Sequence, residues 1–357
     1  MKDKIFTIIF CIIIFGFGII NIIIPDKDIS YSERRKLTTL PKFTIENVFN
    51  DTITDKLDTY ISDHFIFRDT FRKVKAYTLF NILNMNDYNN LYMSDDYIFK
   101  IDYPLNEDKV IQFTNKMNNL YNTYLKNMNV YYSIIPDKNY YSNTNNLKID
   151  YDKLFNIVNS NMNNNMTYID ITNCLQLNDY YYTDIHWKQE SLNKVVNKLS
   201  ESMKFNISNN YKENTYYPFY GSYYGQIGIS AKPDTLTYLT NDTIENAIVK
   251  DIESDTTKVY ETDSLGKIDS YDVFLSGATP IIEINNKNKT HNKELIIFRD
   301  SFSSSLTPLL IDGYDKITLI DLRYINSNLL KDHIKFSNQD ILLLYNTEII
   351  NNSDILK

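Results

Sequence analysis

The sequence predicts an α/β fold: a mostly parallel sheet with crossover helices, preceded by an N-terminal transmembrane helix. Three observations carry this. From residue 107 onward, short apolar runs alternate with segments of helical periodicity, and such alternation implies parallel strands joined by helices. Residues 5 to 24 hold no charged side chain. The 357 residues, 43% hydrophobic and 23% charged, suit one large domain with a smaller accessory segment.

The N-terminal run, IFTIIFCIIIFGFGIINIII, would form a helix about 30 Å long, the thickness of a bilayer core. Lys2 and Lys4 precede it and no small-residue cleavage box follows, so an uncleaved anchor is expected rather than a removed signal peptide. The expected location is the cell membrane, a single pass with the bulk of the chain outside the cytoplasm. Arg34, Arg35 and Lys36 on the far side weaken the charge rule that sets this orientation. Cys11 falls inside the run and Cys174 far from it, which excludes a disulfide framework.

Three regions follow: residues 1–27 as anchor or signal segment, 28–95 as linker and helical segment, and 96–357 as the α/β domain. Residues 51–83 read as helical, with Leu57, Tyr60, Ile61 and His64 on one stripe and Phe71, Val74, Leu79 and Ile82 on another. Further helices are expected over 107–127, 151–165, 187–203 and 324–334. Strands are expected over 130–135, 167–171, 294–298, 316–322 and 340–345. Residues 215–285 contain only short strand candidates. A net charge of -8 argues against a nucleic-acid partner.

The chemistry-bearing residues are few. In LIIFRDSFSSSL, Ser301 lies past a strand and opens a helix. There a strand end displays the hydroxyl and a helix N-terminus favours developing negative charge. The alternative is a helix cap by Asp300 or Ser301. A serine needs a base near neutral pKa and a carboxylate to hold its tautomer. Of four histidines, His291 sits in polar surroundings, His333 ends an amphipathic segment and His64 reads as structural. His186, in YYTDIHWKQES, has Asp184 two positions before it. In an extended loop those side chains point the same way, so Asp184 can reach Nδ1 while Nε2 faces a serine. The alternatives are an N-cap role for Asp184, on a helix starting near Trp187, and a core role for Trp187 ahead of substrate contact. No Gly-rich phosphate loop, CxxC pair or HExxH is present, so neither metal nor cofactor is expected.

Taken together, DHFIFRD (63–69), YSIIPDKNYY (132–141), TDIHW (183–187), YYGQIG (223–228), VFLSGATP (273–280), IIFRDSFSSSLTPLL (296–310), IDLRYIN (320–326) and DILLLYN (340–346) resemble the DHHW family of bacterial extracytoplasmic proteins. That family is related to the SGNH-hydrolase-like domains of alginate O-acetyltransferases. The resemblance implies a three-layer α/β/α fold and a triad of Asp184, His186 and Ser301. It also implies an oxyanion site from the Ser301 backbone N–H and a donor near Gly277, with Arg323 and Tyr324 as substrate contacts. Two positions depart from the pattern. Ile185 stands where the family name implies His, and Gly277-Ala278-Thr279 stands where an Asn donor would follow glycine, leaving Thr279 as a candidate donor.

The function so implied is an extracytoplasmic serine O-acyltransferase or acetylesterase on a cell-surface or secreted polysaccharide. A multispanning membrane O-acyltransferase would be the partner that supplies the acyl group. The rival readings are a noncatalytic glycan-binding protein retaining the fold, and a tethered structural protein of the envelope or spore.

Overall fold

The computed structural model describes residues 2–42, 44, 52–208, 210–253, 257–288 and 291–357. Asp51, the first residue of the expected 51–83 helical stretch, lies outside them. The chain forms two compact units, Met1–Asn89 with Tyr224–Ala231, and Asn90–Tyr223 with Lys232–Lys357.

The first unit begins with α1 (Lys2–Ile23), whose segment Lys4–Ile23 is long and apolar enough to cross a membrane. The helical stretch that follows is broken into α2 (Thr52–His64) and α3 (Arg68–Tyr77), the latter running into a wider turn at Thr78–Ile82. Phe67 makes the break, with φ at +58°, a conformation that helices exclude. Charged pairs hold this unit together. The Arg35 guanidinium forks onto Asp63 at 2.5 and 3.0 Å, with Thr38 N–H donating to the same carboxylate at 2.9 Å. That fork holds the Asp63 carboxyl well below its ordinary range.

The second unit carries a seven-stranded sheet: β1 (Val130–Ile135), β2 (Met166–Tyr168), β3 (Ile248–Asp251), β4 (Ile281–Asn285), β5 (Glu294–Arg299), β6 (Lys316–Ile320) and β7 (Asp340–Asn346), in the spatial order β2-β1-β7-β5-β6-β4-β3. The first five in that order run parallel, while β4 is antiparallel to both β6 and β3. Side chains alternate between faces along each strand. Leu295, Ile297, Leu342 and Leu344 join one core cluster with Trp187, Val195, Val196 and Leu199. Ile296, Phe298, Ile341 and Leu343 join another with Val110, Phe113, Met117 and Leu154. Helices α4 (Glu107–Leu120) and α5 (Tyr151–Asn161) therefore cover one face, and α6 (Asn193–Met203) helps cover the other. The result is the expected three-layer α/β/α fold.

Several helices are shorter than the sequence suggested: the 107–127 segment is α-helical only to Leu120 and the 151–165 segment ends at Asn161. The 187–203 segment becomes helical only at Asn193, after a 3-10 turn at Gln189–Ser191. Trp187 is instead bridged to Tyr180 as a strand would be. The 324–334 segment yields only a 3-10 turn, Ser327–Leu329, and a single helical turn, Leu330–His333. One hairpin, Leu91–Ser94 with Tyr97–Lys100, was not anticipated.

Candidate active site

Parallel strands gather their carboxyl ends at one edge of a sheet, where open α/β folds hold their ligands. Here β5 ends at Arg299 and the chain turns through Asp300 and Ser301 into the short helix Ser303–Leu306. Asp300 fixes that turn. Its Oδ1 accepts the Phe302 N–H at 3.0 Å and its Oδ2 accepts the Asn346 N–H, at the end of β7, at 2.6 Å. The turn-capping role thus falls to Asp300, and the Ser301 hydroxyl is left to point elsewhere.

It points at His186. The His186 Nε2–Ser301 Oγ distance is 2.8 Å, and His186 Nδ1 lies 2.6 Å from Asp184 Oδ1. Asp184 is 1% and His186 8% exposed. A tight loop makes this possible. Tyr181 N–H donates to His186 O at 3.2 Å and Lys188 N–H to Asp179 O at 2.7 Å, closing residues 179–188 into a hairpin. Within it Asp184 Oδ1 also accepts the His186 N–H at 3.1 Å, and Oδ2 accepts the Ser222 N–H at 2.7 Å. Asp184 does not cap the helix expected near Trp187, because that helix starts only at Asn193; its Oδ2 instead meets the first N–H of the short helix Ser222–Ile227. With three donors on its carboxylate and the imidazole's other nitrogen on a hydroxyl, the arrangement can take a proton from Ser301 while holding the imidazole in one orientation.

Several residues that sequence reasoning missed build this loop. Lys138, in the quoted IPDK stretch, is 3% exposed. Its ammonium donates to the carbonyls of Tyr181, Tyr182 and Asp184 at 3.0, 3.3 and 2.8 Å. Desolvation pushes its pKa down to about 7, against the pull of Asp184, Asp234 and Asp137. Asp234 accepts the N–H groups of Tyr182 and Thr183 and the Thr183 hydroxyl, at 2.7, 2.9 and 2.6 Å. A Cβ on Gly221 would lie 2.2 Å from Asp184 Cβ, so only glycine fits there. Tyr271 stacks on the His186 ring, and nothing in the weakly periodic 215–285 region signalled it.

Trp187 is fully buried, its Nε1–H donating to Phe302 O and Ser305 Oγ, each at 3.0 Å. It is a core anchor that ties the histidine loop to the serine turn. Gly277 adopts φ +86° beside Asp272, and Thr279 Oγ1 is buried with no hydrogen-bond partner among the described residues. Arg323 gives its fork to the fully buried Asp321 at 2.9 and 2.6 Å, while Tyr324 is 46% exposed. Arg299 is 1% exposed, with Nη1 on Ser304 Oγ at 2.7 Å and Nε and Nη2 unpartnered. Burial lowers its pKa, with Asp321 as the opposing charge. No group of three or more His, Cys, Asp or Glu side chains able to hold a metal occurs among the described residues.

No family model and no curated protein matches the sequence. Solved structures do match. A DHHW family protein from Eubacterium siraeum is similar over 75% of this chain and 94% of its own, at 18% identity and a TM-score of 0.64. This chain has the fold of a DHHW protein. Bacillus cereus PatB1 is similar over 75% of this chain and 97% of its own, at 16% identity and a TM-score of 0.59. PatB1 bearing a sulfonyl adduct is similar over 73% and 97%, at 14% identity and a TM-score of 0.56.

Proposed function

We propose that this protein is a membrane-anchored serine O-acyltransferase or acetylesterase. In this reading it works outside the cytoplasm on a cell-surface or secreted polysaccharide. The observation that carries it is the hydrogen-bonded series Ser301–His186–Asp184 at the carboxyl end of β5. Ser301 Oγ attacks an acyl carbonyl as His186 Nε2 takes its proton. The tetrahedral intermediate collapses, and His186 returns the proton to the departing oxygen. A glycan hydroxyl or water, deprotonated by His186, then attacks the acyl-serine and releases the enzyme. Asp184 keeps Nδ1 protonated and steadies the imidazolium. The Ser301 backbone N–H and the unpartnered Thr279 hydroxyl are the candidate oxyanion donors, and losing one donor typically costs about 3 kcal/mol in the transition state.

Other support is chemical. A serine activated by imidazole attacks sulfonyl centres, and PatB1, with the same fold, carries a sulfonyl adduct in one of its structures. An acyl group delivered across the bilayer by a multispanning O-acyltransferase would complete the transferase version.

The test uses the full chain in detergent with a chromogenic acetate ester and a fluorophosphonate. The wild type is expected to turn over and to be labelled. Ser301→Ala and His186→Ala are expected to lose about 10^4-fold or more of the rate, Ser301→Ala with its melting temperature unchanged and His186→Ala still folded but less stable for want of the Tyr271 stack and the Asp184 bond. Labelling that survives Ser301→Ala, or a wild type inert to both reagents, would overturn the proposal.

A further inference from the structure

Helix α3 turns large apolar residues outward and its two arginines inward. Phe67, Phe71, Val74 and Ile82 are 62, 49, 56 and 63% exposed. Phe71 and Val74 share one face of α3, with Phe67 immediately before the helix and Ile82 in the wider turn that follows it. The other side turns into the unit. Arg68 Nη1 reaches Glu33 Oε2 at 2.6 Å, Arg72 Nε reaches Glu33 Oε1 at 3.2 Å, and Arg72 Nη2 donates to Gly225 O at 2.6 Å. Ala76 is fully buried on that side, beside Gly228. A surface helix in water buries its apolar stripe and exposes its charges. A contiguous apolar face left outside marks a surface that meets something other than water.

The neighbouring helix indicates what it meets. Phe17 of α1 stacks on Phe65 at 5.8 Å and lies 6.4 Å from Phe71, with Phe65 and Phe71 6.0 Å apart. Asn21 Oδ1 accepts the Ile66 N–H at 2.8 Å. Phe17 and Asn21 belong to the last two turns of the apolar segment Lys4–Ile23. The exposed face of α3 is therefore continuous with the end of the span. Lys73 is exposed on α3 away from the apolar stripe and Lys75, four residues after Phe71, is exposed at its edge, and such cations favour anionic headgroups.

We infer that the outward apolar surface of α3 and its two flanking turns, formed by Phe67, Phe71, Val74 and Ile82, lies in the lipid–water interface of the membrane that α1 crosses. The inference rests on α1 being a membrane span. A helix of this kind sinks its apolar face about 5–10 Å into the headgroup–acyl boundary. The unit is then held to the bilayer twice, by a span and by an in-plane helix.

The test places one tryptophan at a time in the full chain, reconstituted in phosphatidylcholine–phosphatidylglycerol vesicles containing brominated acyl chains. Trp187, the only native tryptophan and fully buried, supplies a constant background and reports folding. Phe71→Trp and Ile82→Trp are expected to lose emission, most strongly with bromines placed about 5–10 Å below the headgroups. Lys73→Trp, off the face, is expected to keep its emission, and Phe10→Trp, within the span, to be quenched at all depths. If Phe10→Trp is quenched while Phe71→Trp and Ile82→Trp are not, the in-plane contact is wrong and the anchor stands. Equal quenching of Lys73→Trp also overturns the proposed face. An unquenched Phe10→Trp removes the span and the inference together.

Discussion

Tyr271 lies flat on the imidazole of His186, the ring centroids 3.8 Å apart and the planes 5° from parallel. Its hydroxyl donates to Ser305 Oγ at 2.9 Å, the same oxygen that receives the Trp187 indole N–H. One side chain thus restrains the histidine ring and is itself tied to the helix that follows Ser301. Aromatic contacts of this kind are worth about 0.5–1.5 kcal/mol beyond area burial. Tyr271→Leu is expected to lower kcat by up to about 10-fold, since 1.4 kcal/mol corresponds to a factor of ten. Tyr271→Phe keeps the stack and should retain most activity while losing about 1 kcal/mol of stability with the hydroxyl bond. Equal kcat losses for the two variants would assign the effect to the hydroxyl.

Gly221 sits where a Cβ would come within 2.2 Å of Asp184 Cβ and 2.5 Å of its Cα. One obstructing atom is backbone, so a side chain here must move the loop. Gly221→Ala is expected to cost about 1–3 kcal/mol of stability, as overpacking does. It should also reduce fluorophosphonate labelling of Ser301 by at least about 10^2-fold, because displacements near 1 Å cost that much in catalysis. Labelling at the wild-type rate would show that Asp184 tolerates the shift and does not orient the histidine.

Much of this site was legible because its chemistry is local in sequence. Asp184 and His186 are two residues apart in an extended loop, and the Asp300-Ser301 step follows an apolar strand. What could not be read was the support from afar. Lys138, Gly221, Asp234 and Tyr271 act on residues 34 or more positions away, and no periodicity records such contacts. The helix expected from Trp187 failed for a related reason. Val195, Val196 and Leu199 are truly helical, but the Tyr180–Trp187 bridge and the engaged Asp184 carboxylate hold the chain up to Trp187 out of the helix. The missed Leu91–Ser94 hairpin had a signal in its turn. Asp95 and Asp96 both take positive φ, 48° and 68°, a conformation Asp tolerates better than most residues.

Lys138 offers three N–H donors to three carbonyls of the loop that carries Asp184. Its ammonium also lies 5.0 Å from the Tyr223 ring and 5.8 Å from that of Phe99. Lys138→Met conserves the stem but leaves three carbonyls without their donor. It is expected to lower stability by at least about 2 kcal/mol, the range for hydrogen bonds to a charged group. Turnover should fall with kcat rather than KM, since the lysine acts on Asp184 and not on substrate. Steady-state kinetics with an acetate ester, alongside thermal melts, distinguish this from simple unfolding. An unchanged kcat in a destabilised protein would reduce Lys138 to a packing role.

Asp102 gives the second unit a pH-dependent stability separate from the Ser301–His186–Asp184 series. Burial first, then the charge of Glu348, pushes its carboxyl up to about 6, against the amides of Asn351 and Asn352. In the unfolded chain an aspartate titrates near about 4. Below that value both states hold the proton and the contribution is fully present. As pH rises from about 4 through about 6, the folded state holds more proton than the unfolded one, and stability falls. Above about 6 the folded chain carries the cost of a buried carboxylate. Asp102→Asn removes the titration while keeping an acceptor for Asn351. The variant is expected to match the wild type near pH 4 and to exceed it by about 1–3 kcal/mol at pH 7 to 8. Melts at intervals from pH 4 to 8 measure this directly. Curves that stay parallel across the range would mean that the Asp102 carboxyl ionises in the fold as it does in the open chain.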